Sequence, residues 1–243
     1  MTGLNIPTTR AFLVLLLLFP SQLFGQHLES DEKREVRGRK AWLVATVIPD
    51  DLENPVTIMV GKDLTKVTLS KRSVGDPVKV PKDGLIRMVR EITDPEDPSK
   101  TVFRTLAEAR VPESVNQALV IFVPVKETES GVLFGTKVQD LAKFTGGETL
   151  YMNLSPRNIK VILGNDVIGL RSGDLKIHEV TGLEKAVNKA ISYHQFDPVK
   201  KKWKLLSAST IVLRPTRREI CIFSWDPRFD RIDYHGVTFP VEK

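Results

Sequence analysis

The feature that most constrains the fold of this chain is that it is written twice. DPSKTVFRTLAEARV, starting at Asp97, is answered one hundred residues later by DPVKKKWKLLSASTI, starting at Asp197. Four further pairs stand in the same order at a similar offset. LVATVIP ending at Pro49 matches LYMNLSP ending at Pro156, and VTIMVGKDL from Val56 matches IKVILGNDV from Ile159. VGDPVKV from Val74 matches SGDLKI from Ser172, and ALVIFVP from Ala118 matches EICIFSW from Glu219. Five matches in one order imply an internal duplication, and a unit of about a hundred residues is the size of one small domain.

Each unit reads as β-structure. Short runs rich in Val, Ile, Thr and aromatics are separated by Gly, Asp, Pro and Asn. In VTIMVGKDL the glycine supplies the backbone freedom of a tight turn, and the aspartate beyond it can bond its own backbone. IRMVREITDPEDPSKTVFRTLAEARV predicts a long hairpin with DPEDPS as its loop, and AISYHQFDPVKKKWKLLSASTI predicts its twin. Period-2 alternation puts Phe103, Thr105, Ala107, Ala109 and Val111 on one face of the returning strand. Trp203, Leu205, Ser207, Ser209 and Ile211 take the equivalent face, and the small residues beyond the aromatic suggest close approach of a second sheet. Two stretches compete as helix: LEKAVNKAI from Leu183 has helical apolar spacing, and VQDLAKF from Val138 suits a single turn.

The N-terminus carries an export signal. Arg10 precedes the apolar run Ala11 to Phe19, Pro20 ends it, and Gly25 provides a small residue for cleavage. The run is about half the roughly 20 residues that a transmembrane helix needs. QHLESDEKREVRGRK then reads as a charged leader. Cys221, the one cysteine, lies in the apolar run EICIFSW, so an internal disulfide is excluded and a small buried hydrophobe is expected there. The expected order is a signal peptide over 1–25, the leader over 26–40, a first β-sandwich over 41–126, a linker over 127–147, and a second β-sandwich with a C-terminal hairpin over 148–243.

The stretch LYMNLSPRNIKVILGNDVIGLRSGD, within residues 149–174, resembles exported bacterial proteins of the verrucomicrobial type that carry tandem Ig-like β-sandwich domains. The resemblance lies in Asn153-Leu154-Ser155, Gly164 and Ser172-Gly173, which are turn positions. It implies a fold and a compartment, periplasmic or cell-surface, and carries no activity over. The expected fold class is therefore all-β: two tandem Ig-like β-sandwich domains from an internal duplication, with minor helix. A single sandwich made by intertwining the two copies is the alternative.

Catalytic signatures are missing from the sequence. There is no G-x-S-x-G elbow, no phosphate-cradling glycine loop, and no ligand-like spacing among His27, His178, His194 and His235. No enzyme activity, cofactor or metal is expected. Asn153-Leu154-Ser155 fits a glycosylation acceptor but precedes Pro156 and reads as a turn. Net charge is +6, unevenly spread: residues 41–126 hold 12 basic and 12 acidic side chains, residues 148–227 hold 13 and 8. The excess gathers at Lys200, Lys201, Lys202 and Lys204, followed by Arg214, Arg217 and Arg218. These seven are the candidate anion-binding residues, although lysines at a hairpin tip also protect exposed sheet edges. The expected function is a non-catalytic envelope protein that binds a partner or supports an assembly. An enzyme accessory or a carbohydrate-binding module acting on anionic envelope polymers is the alternative, and would show exposed aromatics. The expected partners are an envelope protein or an anionic polysaccharide; nucleic acid is not expected, because export removes it and aromatic interleaving is sparse. Trp42, Trp203 and Trp225 alternate as strand residues and are expected in the core.

Overall fold

The structure, a computed structural model, describes residues 38–125, 131–180, 182–226 and 229–241. The expected signal peptide, His27 and most of the charged leader lie outside these residues. Among them the chain is all-β apart from one 3-10 turn at Leu141–Lys143. The first repeat supplies β1 (Lys40–Ala45), β2 (Val56–Val60), β3 (Asp63–Val67), β4 (Val78–Lys79), β5 (Leu85–Thr93), β6 (Thr101–Arg110), β7 (Gln117–Pro124) and β8 (Phe134–Asp140). The second supplies β9 (Thr149–Asn153), β10 (Ile159–Leu163), β11 (Asp166–Leu170), β12 (Leu175–His178), β13 (Val187–Asp197), β14 (Lys202–Leu213), β15 (Arg217–Asp226) and β16 (Arg231–Pro240).

The topology proves the repeat more sharply than the residues do. The first repeat forms an inner sheet, β4-β1-β7-β8, and an outer sheet, β3-β2-β5-β6. Adding eight to every strand gives the second repeat, β12-β9-β15-β16 and β11-β10-β13-β14. In both inner sheets the first and seventh strands pair in parallel, β1 with β7 and β9 with β15. Both long hairpins bulge at the same place. Leu106 is skipped between the Met88–Ala107 and Val89–Thr105 pairs, and Leu206 between Tyr193–Ser207 and His194–Leu205.

Three cores hold four layers together. Leu43, Val120 and Phe122 of the first inner sheet pack on Ile58, Met88 and Ala107 of the outer one. Tyr151, Cys221 and Phe223 of the second inner sheet pack on Val161 and Ile191. Between them, Trp42, Val44, Leu119 and Ile121 meet Leu150, Met152, Ile220, Ile222 and Val237 in a core shared by both repeats. The inner sheets are thus buried on both faces, which is why AWLVA, ALVIF and LYM are unbroken apolar runs. With sheets about 10 Å apart, the order is outer, inner, inner, outer.

Several expectations change. The stretch 127–147 is not a plain linker: it contains β8, which pairs with β7, and the 3-10 turn capped by the Asp140 carboxylate. The leader ends before residue 39, because Lys40 opens β1 and the Arg39 guanidinium donates to the carbonyls of Val111, Val115 and Pro112. LEKAVNKAI is not helical; from Val187 it runs into β13, where pairing on both sides outweighs its helical spacing. VQDLAKF does contain its single turn. The C-terminal hairpin is β15 with β16, and β16 runs straight through His235-Gly236, antiparallel to β15.

Candidate functional site

The seven candidate cations do not form one site. Lys200, Lys201 and Lys202 stand exposed at the β13–β14 hairpin tip, with Lys204 just beyond. Arg214 and Arg217 lie at the far end of β14, about 35 Å away at the rise of a strand. Arg218 is 7% exposed and points, like Ile220 and Ile222, toward the core between the inner sheets. The cluster seen in the sequence divides into a lysine tip and two distant arginines.

At the tip, Asp197 builds the turn: its Oδ1 accepts from the backbone N–H groups of Val199 and Lys200, both at 3.0 Å. These bonds, the Lys200 amide foremost, hold the carboxyl below its ordinary range. Lys201 takes the left-handed conformation, φ +48.

The bulge at Leu206 then decides which residues face outward. It lets Leu206 and Ser207 both lean toward the core, so that on the loop side of the bulge Trp203 and Leu205 turn away from it. Trp203 is 41% exposed and Leu205 53%, whereas strict alternation had placed both inside. Phe103, at the equivalent point of the first repeat, is 43% exposed for the same reason. Trp42 is core, as expected, and Trp225 is partly buried beneath the Arg157 guanidinium, 5.8 Å from its ring centre.

Around Trp203 the outer face of the second repeat gathers polar groups. Gly169, Lys160, His194 and Leu205 make one cross-strand row, and Phe196 pairs with Trp203 beside it. The Lys160 ammonium stands 4.6 Å over the Trp203 ring, and the Phe196 ring meets that indole edge-on at 5.4 Å. The His194 Nε2 lies 3.0 Å from the Ser192 hydroxyl; burial, then the Lys160 charge, holds its imidazole below the ordinary range. An open hollow of about 510 Å³ adjoins the indole, walled by Asn158, Arg171, Asp174 and Lys176 and floored at Gly169, where an added Cβ would meet no atom within 4 Å. Lys176 donates to the Gly169 carbonyl at 2.6 Å, and Asp174 accepts from the Arg171 amide at 2.8 Å, which stiffens the wall. Three cations and one carboxylate around an exposed indole suit a polar, anionic ligand with an apolar face.

The first repeat has a hollow of about 270 Å³ at the matching place, with Phe103 on its wall. Its Lys66 is already paired with Glu53 at 3.1 Å, and Glu91 adds a further carboxylate. The second hollow is therefore the better anion site, although the two lie at matching places in the two repeats.

Elsewhere the chemistry is structural. Burial pushes the Cys221 thiol up to about 12 and raises the neighbouring Tyr151 and Tyr193 hydroxyls, so all three stay protonated and unreactive. The His178 Nε2 lies 3.3 Å from the Asp166 carboxylate. Among the described residues no three His, Cys, Asp or Glu side chains converge to hold a metal ion, and no helix is long and apolar enough to cross a membrane. No family model matches the chain, and no curated protein matches it.

Lys160 and Gly169 sit in ordinary strand patterns and His194 has no ligand-like neighbour in sequence, so the three acquire meaning only when β10, β11, β13 and β14 align. Trp203 was recognised but assigned to the wrong face. The Leu205-Leu206 doublet, two apolar residues where alternation allows one, was the available signal.

Proposed function

We propose that this is an exported, non-catalytic binding protein of the cell envelope, which holds an acidic polysaccharide against the outer face of its second repeat. The observation that carries this reading is Trp203, exposed beside an open hollow with the Lys160 ammonium over its ring. An indole offers a flat apolar surface to a sugar ring, while Lys160, Arg171 and Lys176 would meet its carboxylates or sulfates. Lys200, Lys201 and Lys202 on the adjoining tip extend the positive field and would guide the polymer in, an effect screened by salt within about 10 Å at 0.1 M. The N-terminal apolar run supports export, and the resemblance to exported bacterial proteins points the same way.

The test is retention on immobilised polygalacturonate compared with neutral dextran. The protein should bind the acidic polymer, and should release it as salt rises. Trp203→Ala should weaken binding at least tenfold. Gly169→Phe, which places a ring over the floor of the hollow from a position where a Cβ has open space, should do the same with the fold intact. Equal retention of the wild-type protein and both variants would remove the hollow as the binding site.

A further inference from the structure

The two repeats differ at one edge of their sandwiches. In the first, the edge strand β6 is covered. The Leu133 N–H donates to the Leu106 carbonyl and the Thr136 hydroxyl to the Glu108 carbonyl, both at 2.8 Å, and Gly131 lies against the Arg104 side chain. Beneath that cover Ala107 and Ala109 are buried. In the second, β14 pairs only with β13 among the described residues, and the counterparts Ser207 and Ser209 are half-buried and exposed. Strand register explains the contrast. Thr136 sits opposite Phe122, and Tyr234 sits opposite the matching Phe223. The Tyr234 ring packs on those of Tyr193 and Phe223, with centres 4.8 and 6.1 Å apart.

The edge left open is 12 residues long, KWKLLSASTIVL. It contains no proline, and its only charges, Lys202 and Lys204, lie at one end. Leu205 and Val212 are exposed along it at 53% and 41%. A long edge strand with free backbone groups is a template for pairing.

We propose that β14 pairs antiparallel with β14 of a second molecule of this chain, about a two-fold axis through Ala208. Of the registers that keep faces matched, this one pairs the strand over its full length. The bulge puts Trp203, Leu205, Ala208, Thr210 and Val212 on one face. Centred on Ala208, Ser207 opposes Ser209, and beyond the bulge Leu205 opposes Thr210 and Trp203 opposes Val212. Lys204 meets Ile211 and Lys202 meets Leu213, so no like charges face one another. A parallel pairing in register would set Lys202 on Lys202 and Lys204 on Lys204, which disfavours it. A two-fold arrangement closes on itself and forms a dimer rather than a fibre. The pairing joins two outer sheets into one of eight strands. It leaves the Trp203–Lys160 hollow free, since that indole leans over the sheet face, so the proposal stands independently of polysaccharide binding.

The test is analytical ultracentrifugation of the ligand-free chain over a wide concentration range, with wild type expected to reach a dimer. Ala208 is exposed, so Ala208→Lys and Ala208→Glu should each fold but stay monomeric, as like charges meet at the axis. Mixing the two variants should restore a dimer, a rescue that misfolded protein cannot show. Ala208→Cys should form a disulfide-linked dimer on mild oxidation, because the native Cys221 is buried. A wild-type chain that stays monomeric at every concentration overturns the proposal. So does a dimer indifferent to both charge substitutions.

Discussion

Asp97 and Asp197 perform the same work a hundred residues apart. The Asp97 carboxylate accepts from the Ser99 amide and hydroxyl and pairs with Lys100 at 2.8 Å; Asp197 accepts from two amides at its own tip. Both carboxyls are held below the ordinary range, Asp97 chiefly by Lys100 and Asp197 chiefly by the Lys200 amide. Their contribution is present above about pH 4 and fades as pH falls below it. Asn153 is a heavier fixture. Fully buried, it donates to the carbonyls of Arg157, Leu170 and Arg171 and accepts from the Ser155 amide and hydroxyl. This is the turn read from Asn-Leu-Ser, now seen to tie three connections together. Asn153→Ala should cost about 3 kcal/mol in urea unfolding, and Asn153→Asp at least as much, since it replaces three donated bonds with a buried charge. His235 predicts a second pH effect. Burial, with Lys71 and Arg72 nearby, holds its imidazole below 6.5 despite Asp233. Below pH 6.5 the unfolded chain therefore binds more protons than the folded one, so stability should decline as pH falls toward 5.5. His235→Gln should reduce that slope in thermal melts, leaving a remainder from His194.

At the scale of the element, the sequence was most legible where alternation and turn chemistry agree. The β2–β3 and β10–β11 hairpins turn at Gly61 and Gly164, both at positive φ, as the glycine-polar-aspartate pattern required. The two long hairpins also lie where their DP loops placed them. What stayed hidden was the single extra residue, Leu106 or Leu206, that reverses alternation halfway along a strand. Nothing local marks the bulge at Leu106, which follows Thr105; at Leu206 the only mark is the Leu205-Leu206 doublet, which also reads as ordinary core. The seven basic residues divide for a related reason: neighbours in sequence become far neighbours when an extended strand separates them. The β13–β14 tip offers a direct test of local strain. Lys201 sits at φ +48, a region costly for a residue with a Cβ. Lys201→Gly should raise stability by about 1 kcal/mol, seen as a higher denaturant midpoint. The reverse strain applies at Gly146, where an added Cβ would lie 1.7 Å from the Pro215 carbonyl oxygen. Gly146→Ala should destabilise the chain by about 3 kcal/mol by forcing that connection apart.

For the whole molecule, the central core changes what separation of the repeats would do. Cleavage in the stretch 127–147 would leave Trp42, Leu119 and Ile121 on one fragment and Leu150, Ile220 and Ile222 on the other, each needing its partner. A nicked protein should migrate as one particle in native buffer and part only in denaturant, and calorimetry of the intact chain should show a single transition. Two independent transitions would instead mean that the central core contributes little. The same core alters how strand order is specified. In a strand with one wet face, a slip of one residue is punished by water, because it turns apolar side chains outward. In β1 no such penalty exists: Ala41, Leu43 and Ala45 serve one core, Trp42 and Val44 the other. A slipped β1 would stay dry and simply exchange a bulky indole for alanines between two cavities. Alignment of the inner sheets is thus encoded in volume rather than polarity, and exchanging Trp42 with Ala41 would scramble it without altering a single hydropathy value overall.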